Sequence, residues 1–197
     1  MFKFLVALAT TIILSACYTP PMYYPLDGSD PVTFSAGDPA PALVLYHDRA
    51  TLRGWSQDEI AAWEPFSIDV WRGESNFCPN ILRGVRMLGD GAGCIIARQG
   101  AHSDSGIAQV LMGYPNKPSW YVPTDGGSWS LHENAILTCP TDNLCTPADV
   151  IATPEASMDA YLILLEHSGK HPWCYNARAR RTHRHCMDAP NNPPVSG

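Results

Sequence analysis

The chain has 197 residues, 45% hydrophobic and 16% charged, enough for one domain with a real core and too hydrophobic for a wholly disordered chain. Its 13 Lys and Arg stand against 19 Asp and Glu, and the net charge of -6 argues against a general nucleic-acid binder, which needs excess positive charge to neutralise phosphates. With 18 Pro and 15 Gly, loops are plentiful and long helical bundles are not expected.

At the N-terminus a single charge, Lys3, precedes the apolar run Phe4 to Ile13, which is too short to span a bilayer. The run ends in Leu14-Ser15-Ala16-Cys17. This tetrad resembles the lipobox of bacterial lipoproteins. The resemblance covers residues 1–17 and implies a signal peptide over 1–16, cut before Cys17, with lipid on the Cys17 sulfur and on its new amino group. Two or more buried acyl chains give stable anchoring. Tyr18 follows, not the aspartate that resembles an inner-membrane retention signal in enteric bacteria, so the outer membrane is favoured over the inner. The implied location is the bacterial envelope, the anchor being the lipid. The longest later apolar stretch, Tyr161 to Leu165, is far too short to cross a membrane.

Residues 17–41 hold Pro20, Pro21, Pro25, Pro31, Pro39 and Pro41 and read as a Pro-rich tether. Extended as polyproline II, such a tether reaches roughly 75 Å. Its aromatics Tyr18, Tyr23, Tyr24 and Phe34 could alternatively pack on the domain or on a partner. Residues 42–186 are expected to form one globular domain, and 187–197 a flexible tail.

Within the domain, Ala42 to Tyr46 reads as a buried strand. Ser56-Gln57-Asp58-Glu59 is a capping box that opens a short helix, which Pro65 should end. Phe66 to Val70 alternates with period two, as a strand does. Ile81 to Leu88, Cys94 to Arg98 and Ile107 to Met112 are further strand candidates. Ser119 to Val122 and Ser128 to Leu131, around Asp125-Gly126-Gly127, suggest a hairpin. Thr153-Pro154-Glu155 opens a second helix, and Gly169 stops it. Met158, Tyr161, Leu162 and Leu165 give that helix an apolar face. The expected fold is α+β: a mostly antiparallel sheet with two or three short helices, stapled by disulfides.

Six cysteines remain after Cys17: Cys78, Cys94, Cys139, Cys145, Cys174 and Cys186. An even number in an exported domain implies three disulfides. Short loops close most easily, which favours Cys78–Cys94, Cys139–Cys145 and Cys174–Cys186.

Three constellations could carry function. Lys170, Arg178, Arg180, Arg181 and Arg184 crowd one acid-free stretch of an otherwise acidic chain. Arginine forks bind carboxylate or phosphate bidentately, so Arg178, Arg180, Arg181 and Arg184 suggest anion or partner recognition. The competing reading is neutralisation by the protein's own acids. His167, His171, His183 and His185 lie nearby, but their spacing matches no zinc framework, and pairing of Cys174 with Cys186 removes both thiolates. No metal and no cofactor are expected. Trp120, Tyr121 and Trp129, with Tyr114, form an aromatic group that could stack on sugar or peptide; hairpin alternation makes one of them core instead. His102 and Asp104 are the candidate acid/base pair if the protein is a hydrolase. No Gly-x-Ser-x-Gly elbow accompanies them, and His102 to Ser105, bracketed by Gly100 and Gly106, reads as a polar turn.

Two functions follow. One is a lipid-anchored binding or interaction module, as an assembly subunit, an inhibitor or an immunity-type protein, with a protein or cell-wall partner. The alternative is a small envelope hydrolase acting on peptidoglycan.

Overall fold

The computed structural model describes residues 20–80, 94, 104–111, 152–174 and 186–190. Four helices and two short antiparallel strand pairs make up this part. The helices are α1 (Ala40–Leu52), α2 (Gln57–Glu74), α3 (Pro154–Ser168) and α4 (His171–Cys174); the pairs are β1 (Met22–Tyr23) with β2 (Val32–Thr33), and β3 (Asp104–Ser105) with β4 (Val110–Leu111). Helix and strand therefore mix, as expected, but the described residues are mainly helical rather than mainly sheet.

The expected strand Ala42 to Tyr46 is helix. Pro41 sits in the first turn of α1, where a missing N–H leaves no intrahelical bond unmade. Pro41, Ala42, Leu45, Tyr46 and Ala50 are its buried residues, a spacing that gives one helical face.

The Ser56 capping box forms as expected. Ser56 Oγ accepts from the Glu59 N–H at 3.2 Å, and Glu59 Oε2 accepts from the Ser56 N–H at 2.8 Å. Pro65 does not end the helix, which continues to Glu74 with Pro65 inside it. An interior proline costs about 3 kcal/mol. Burial of Trp63, Phe66, Val70 and Trp71 offsets that cost, each large apolar side chain contributing roughly 1.5–3 kcal/mol. The expected strand Phe66 to Val70 is therefore helix: Phe66 and Val70, four apart, share the buried face, and Ile68 between them is half-buried.

Helix α3 starts and stops where expected. Thr153 Oγ1 accepts from the Ala156 N–H at 3.1 Å, and Pro154 occupies the first turn. Gly169 closes α3 with φ 58°, a region that strains other residues, and donates its N–H to the Leu165 carbonyl at 2.7 Å. The expected apolar face is buried, and so are Ala160, Ile163 and Leu164 on other sides. Apolar on nearly all sides, α3 is a core helix. It packs against α1, β1 and β4.

The core is aromatic. Tyr46, Trp71, Tyr161, Trp173, Phe66 and Trp63 follow one another with neighbouring ring centres 5.3–6.0 Å apart, edge to face except for the tilted pair Tyr161–Trp173. Such pairs contribute about 0.5–1.5 kcal/mol each beyond their buried area. The row links α1, α2, α3 and α4.

Cys78 bonds to Cys94, and Cys174 to Cys186, with Cα atoms 5.3 and 5.8 Å apart. Cys139 and Cys145 lie outside the described residues.

From Pro21 onward the Pro-rich segment packs on the domain. Tyr23 and Phe34 are buried, and the Phe34 N–H bonds to the Pro21 carbonyl. Pro25 to Gly28 forms the bend between β1 and β2, with Gly28 at φ 78°. Of the aromatics in this segment, Tyr24 stays exposed.

In the stretch read as strand over Ile107 to Met112, residues 107–109 belong to a turn and Val110–Leu111 is strand, while Met112 lies outside the described residues. Of the polar turn expected at His102 to Ser105, His102 and Ser103 lie outside the described residues, and Asp104–Ser105 is β3, paired in register Asp104 with Leu111 and Ser105 with Val110. The Ile107 N–H donates to Ser157 Oγ at 2.7 Å, and Trp173 Nε1 donates to the Ala108 carbonyl at 3.1 Å. These bonds fix the hairpin to α3 and α4. The strand candidates 81–88 and 95–98, the hairpin around Asp125-Gly126-Gly127, and tail residues 191–197 lie outside the described residues.

Candidate functional site

Most residues singled out in the sequence fall outside the described part. Cys17, His102, Trp120, Tyr121, Trp129, Arg178, Arg180, Arg181 and Arg184 are among them, as is Tyr114. Asp104 is placed by its backbone in β3. The cysteines Cys78, Cys94, Cys174 and Cys186 are all disulfide-bonded, which leaves none of them as a nucleophile or thiolate ligand. Among the described residues no group of three or more His, Cys, Asp or Glu is placed to hold a metal ion.

Three arrangements of polar groups are described, and each can be weighed for chemistry. The first is the seam between α1 and α3. Arg49 donates from Nε and Nη2 to the two Asp159 oxygens, at 2.9 and 2.5 Å. One turn further along α1, just beyond its last residue, Arg53 grips both oxygens of Glu166 in the same way. Trp55 Nε1 adds a bond to Glu166 Oε1 at 2.8 Å. Burial opposes the charge on Arg49, but the hydrogen bond and attraction of Asp159 outweigh it and hold the guanidinium above its usual pKa. Both forks are occupied by carboxylates of the same chain. They lock two helices together, and the charge of each guanidinium is already met by a carboxylate.

The second is buried. Ser67 Oγ bonds to the Trp63 carbonyl at 2.8 Å and to Tyr161 Oη at 2.7 Å, while Tyr46 Oη donates to the Ile60 carbonyl. Burial pushes the Tyr46 and Tyr161 phenols well above their ordinary pKa. Ser67 is fully buried, and neither of its partners is a base that could activate it. The group satisfies polar atoms within the aromatic core.

The third is at the surface. His47 on α1 meets Glu64 on α2, Nε2 to Oε2, at 2.7 Å. An imidazole held by a carboxylate is the base-and-orienter half of many nucleophilic sites. Among the described residues no hydroxyl or thiol hydrogen-bonds to His47, so the pair here serves as a pin between α1 and α2. Sequence reading missed it because the partners are 17 residues apart and sit on helices whose packing no local pattern encodes.

One further feature is apolar. Along residues 22–26 exposure alternates strictly: Met22, Tyr24 and Leu26 face outward, and Tyr23 and Pro25 face inward. Tyr23 Oη donates to Asp48 Oδ2 at 2.8 Å, and the Leu26 N–H donates to the same oxygen at 3.0 Å. A single carboxylate on α1 thus fixes both ends of this row. Burial, then the bond to Asp48, raises the Tyr23 phenol above its ordinary pKa. Of the arrangements described, this row alone is turned outward with its backbone fixed and its side chains unpaired.

Comparison with protein-family models, with curated proteins and with solved structures finds no match to this chain.

Proposed function

We propose that this protein is a lipid-anchored bacterial envelope protein that works as a binding or interaction module. Cys17 carries the lipid, and the outer membrane is its site in preference to the inner. The partner is a protein or a cell-wall component, and the module's role is that of an assembly subunit, inhibitor or immunity-type protein. No nucleic acid and no cofactor take part.

The observation that carries this reading is the tetrad Leu14-Ser15-Ala16-Cys17 at the end of a short apolar run. Two formed disulfides support it, since such bridges persist in oxidising compartments outside the cytoplasm. The binding role is supported by how the described polar groups are used. Paired arginines, the Ser67 hydroxyl and the His47–Glu64 pair all hold helices together, and none forms a nucleophile with its base. Partner recognition falls to the arginines 178, 180, 181 and 184 and to the aromatics Trp120, Tyr121 and Trp129. Asp159 and Glu166 are already engaged by Arg49 and Arg53.

The test is affinity capture of the mature domain from envelope extract, in parallel with incubation on purified peptidoglycan. A captured partner, or co-sedimentation without release of fragments, agrees with a binding module. Release of soluble peptidoglycan fragments contradicts it and favours a hydrolase. Changing Arg178, Arg180, Arg181 and Arg184 together to Gln should weaken capture and reduce its salt dependence.

A further inference from the structure

Cys17 and Met22 are five residues apart in the chain. At no more than 3.6 Å per residue, five residues reach at most about 18 Å. The full Pro-rich segment taken as extended would reach roughly 75 Å. The short figure applies, because from β1 onward the segment is part of the domain. Tyr23 is buried and bonded to Asp48, Phe34 is fully buried, and β1 is paired to β2. A lipid on Cys17 therefore holds the β1–β2 hairpin within about 18 Å of the membrane interface.

The outward row of that hairpin is apolar. Met22 is 38% exposed, Tyr24 67% and Leu26 58%. Tyrosine, with an apolar ring and a polar tip, suits the boundary between headgroups and acyl chains. Charge decides which lipid. Residues 18–48 contain no Lys or Arg, while Asp27 and Asp30 follow Leu26 in the exposed bend. The Ser29 N–H donates to Asp27 Oδ1 at 2.9 Å and holds that carboxyl below its ordinary pKa. An anionic surface would repel this bend, and a zwitterionic one would not.

We propose that Met22, Tyr24 and Leu26 form a membrane-contact edge that seats the domain on a zwitterionic lipid surface beside its own anchor. This deepens the proposed function and rests on the lipidation of Cys17. The domain lies against the bilayer in one orientation, with the hairpin down. Its other faces are left to meet a partner.

The experiment uses the full acylated chain with the photoreactive residue p-benzoyl-phenylalanine at position 24 or at position 26. The protein is reconstituted in phosphatidylcholine vesicles, floated on a gradient, irradiated and analysed by mass. Flotation reads the anchor, and the adduct reads the edge. Lipid adducts at both positions are expected. Met22→Ser with Leu26→Ser should cut the adduct at position 24 at least several-fold while flotation and circular dichroism are unchanged. Replacing half the lipid by phosphatidylglycerol should lower the adduct yield. Flotation without lipid adducts, or with adducts only to protein, overturns the membrane-contact edge and leaves the anchor standing. An adduct yield that rises with phosphatidylglycerol overturns the zwitterionic preference. A processed chain that does not float removes the anchor, and the edge falls with it.

Discussion

Arg53 and Glu166 lie 113 residues apart in sequence and meet as a two-pronged ion pair, with Trp55 donating to the same carboxylate. Arg49 and Asp159 repeat the arrangement one turn away. Because both pairs are largely shielded from water, they differ from ordinary surface salt bridges. Glu166→Gln keeps the shape but removes the charge that Arg53 needs. It should lower unfolding stability by about 1.5–3 kcal/mol, the usual worth of hydrogen bonds to a charged group. His47→Ala breaks the exposed pair with Glu64 and should cost less than about 1 kcal/mol. Urea denaturation of the two variants checks the order, and equal losses would contradict it.

Ser67 and Tyr161 share a buried hydrogen bond at 2.7 Å. Ser67→Ala and Tyr161→Phe should each destabilise, by about 1–3 kcal/mol, because each leaves a buried hydroxyl short of a partner. The double variant should lose less than the two singles together, with a coupling of about 0.5 kcal/mol or more. Strict additivity would mean that the two hydroxyls do not interact in solution.

Alkaline pH should unfold the protein cooperatively. The phenols of Tyr23, Tyr46 and Tyr161 are all raised in the fold, so the folded chain keeps protons that the unfolded chain loses. Below the ordinary tyrosine pKa of about 10 both states are neutral and these groups leave stability unchanged. Above it, each phenol that stays neutral only in the fold reduces stability by about 1.4 kcal/mol per pH unit. Tyrosinate absorbance followed against pH should therefore show a late step that coincides with loss of circular dichroism. Smooth ionisation of all eight tyrosines while the fold persists would contradict the burial described.

The bridge Cys174–Cys186 ties the end of α4 to residues 186–190, where Lys170 Nζ also bonds to the Ala189 carbonyl at 3.0 Å. Replacing both cysteines by Ala should lower stability by about 2–5 kcal/mol. Peptide mapping of the unreduced protein should recover Cys78 with Cys94, Cys174 with Cys186 and, from the sequence expectation, Cys139 with Cys145. A different partner for Cys174 would contradict both structure and sequence.

Local signals in the sequence were dependable where the responsible atoms are local. Ser56 with Glu59, Thr153 with Pro154, and Gly169 each act within a single turn, and each marks a helix end in the structure. The near-neighbour bridges Cys78–Cys94 and Cys174–Cys186 followed from short loop closure. Signals that depend on packing misled. A five-residue apolar run such as Ala42 to Tyr46 has the same look in a buried strand and in a helix facing a core. Pro65 alone ends a helix, but four large buried side chains around it keep α2 intact. The seam of Arg49, Arg53, Asp159 and Glu166 joins segments more than a hundred residues apart, and no spacing rule announces it. At the hairpin Met22 to Leu26 is apolar or aromatic throughout, so its alternating exposure was not legible in the sequence, and the prolines around it made the stretch read as tether.

The proposed envelope location rests on a lipid at Cys17. Mass spectrometry of the N-terminal peptide of the membrane-extracted protein tests it most directly. The expected peptide begins at Cys17 and carries acyl chains on both sulfur and amino group. Cys17→Ser should leave the precursor uncut and unacylated. A mature chain that begins elsewhere, or an unmodified Cys17 in protein that still partitions with the membrane, would contradict it.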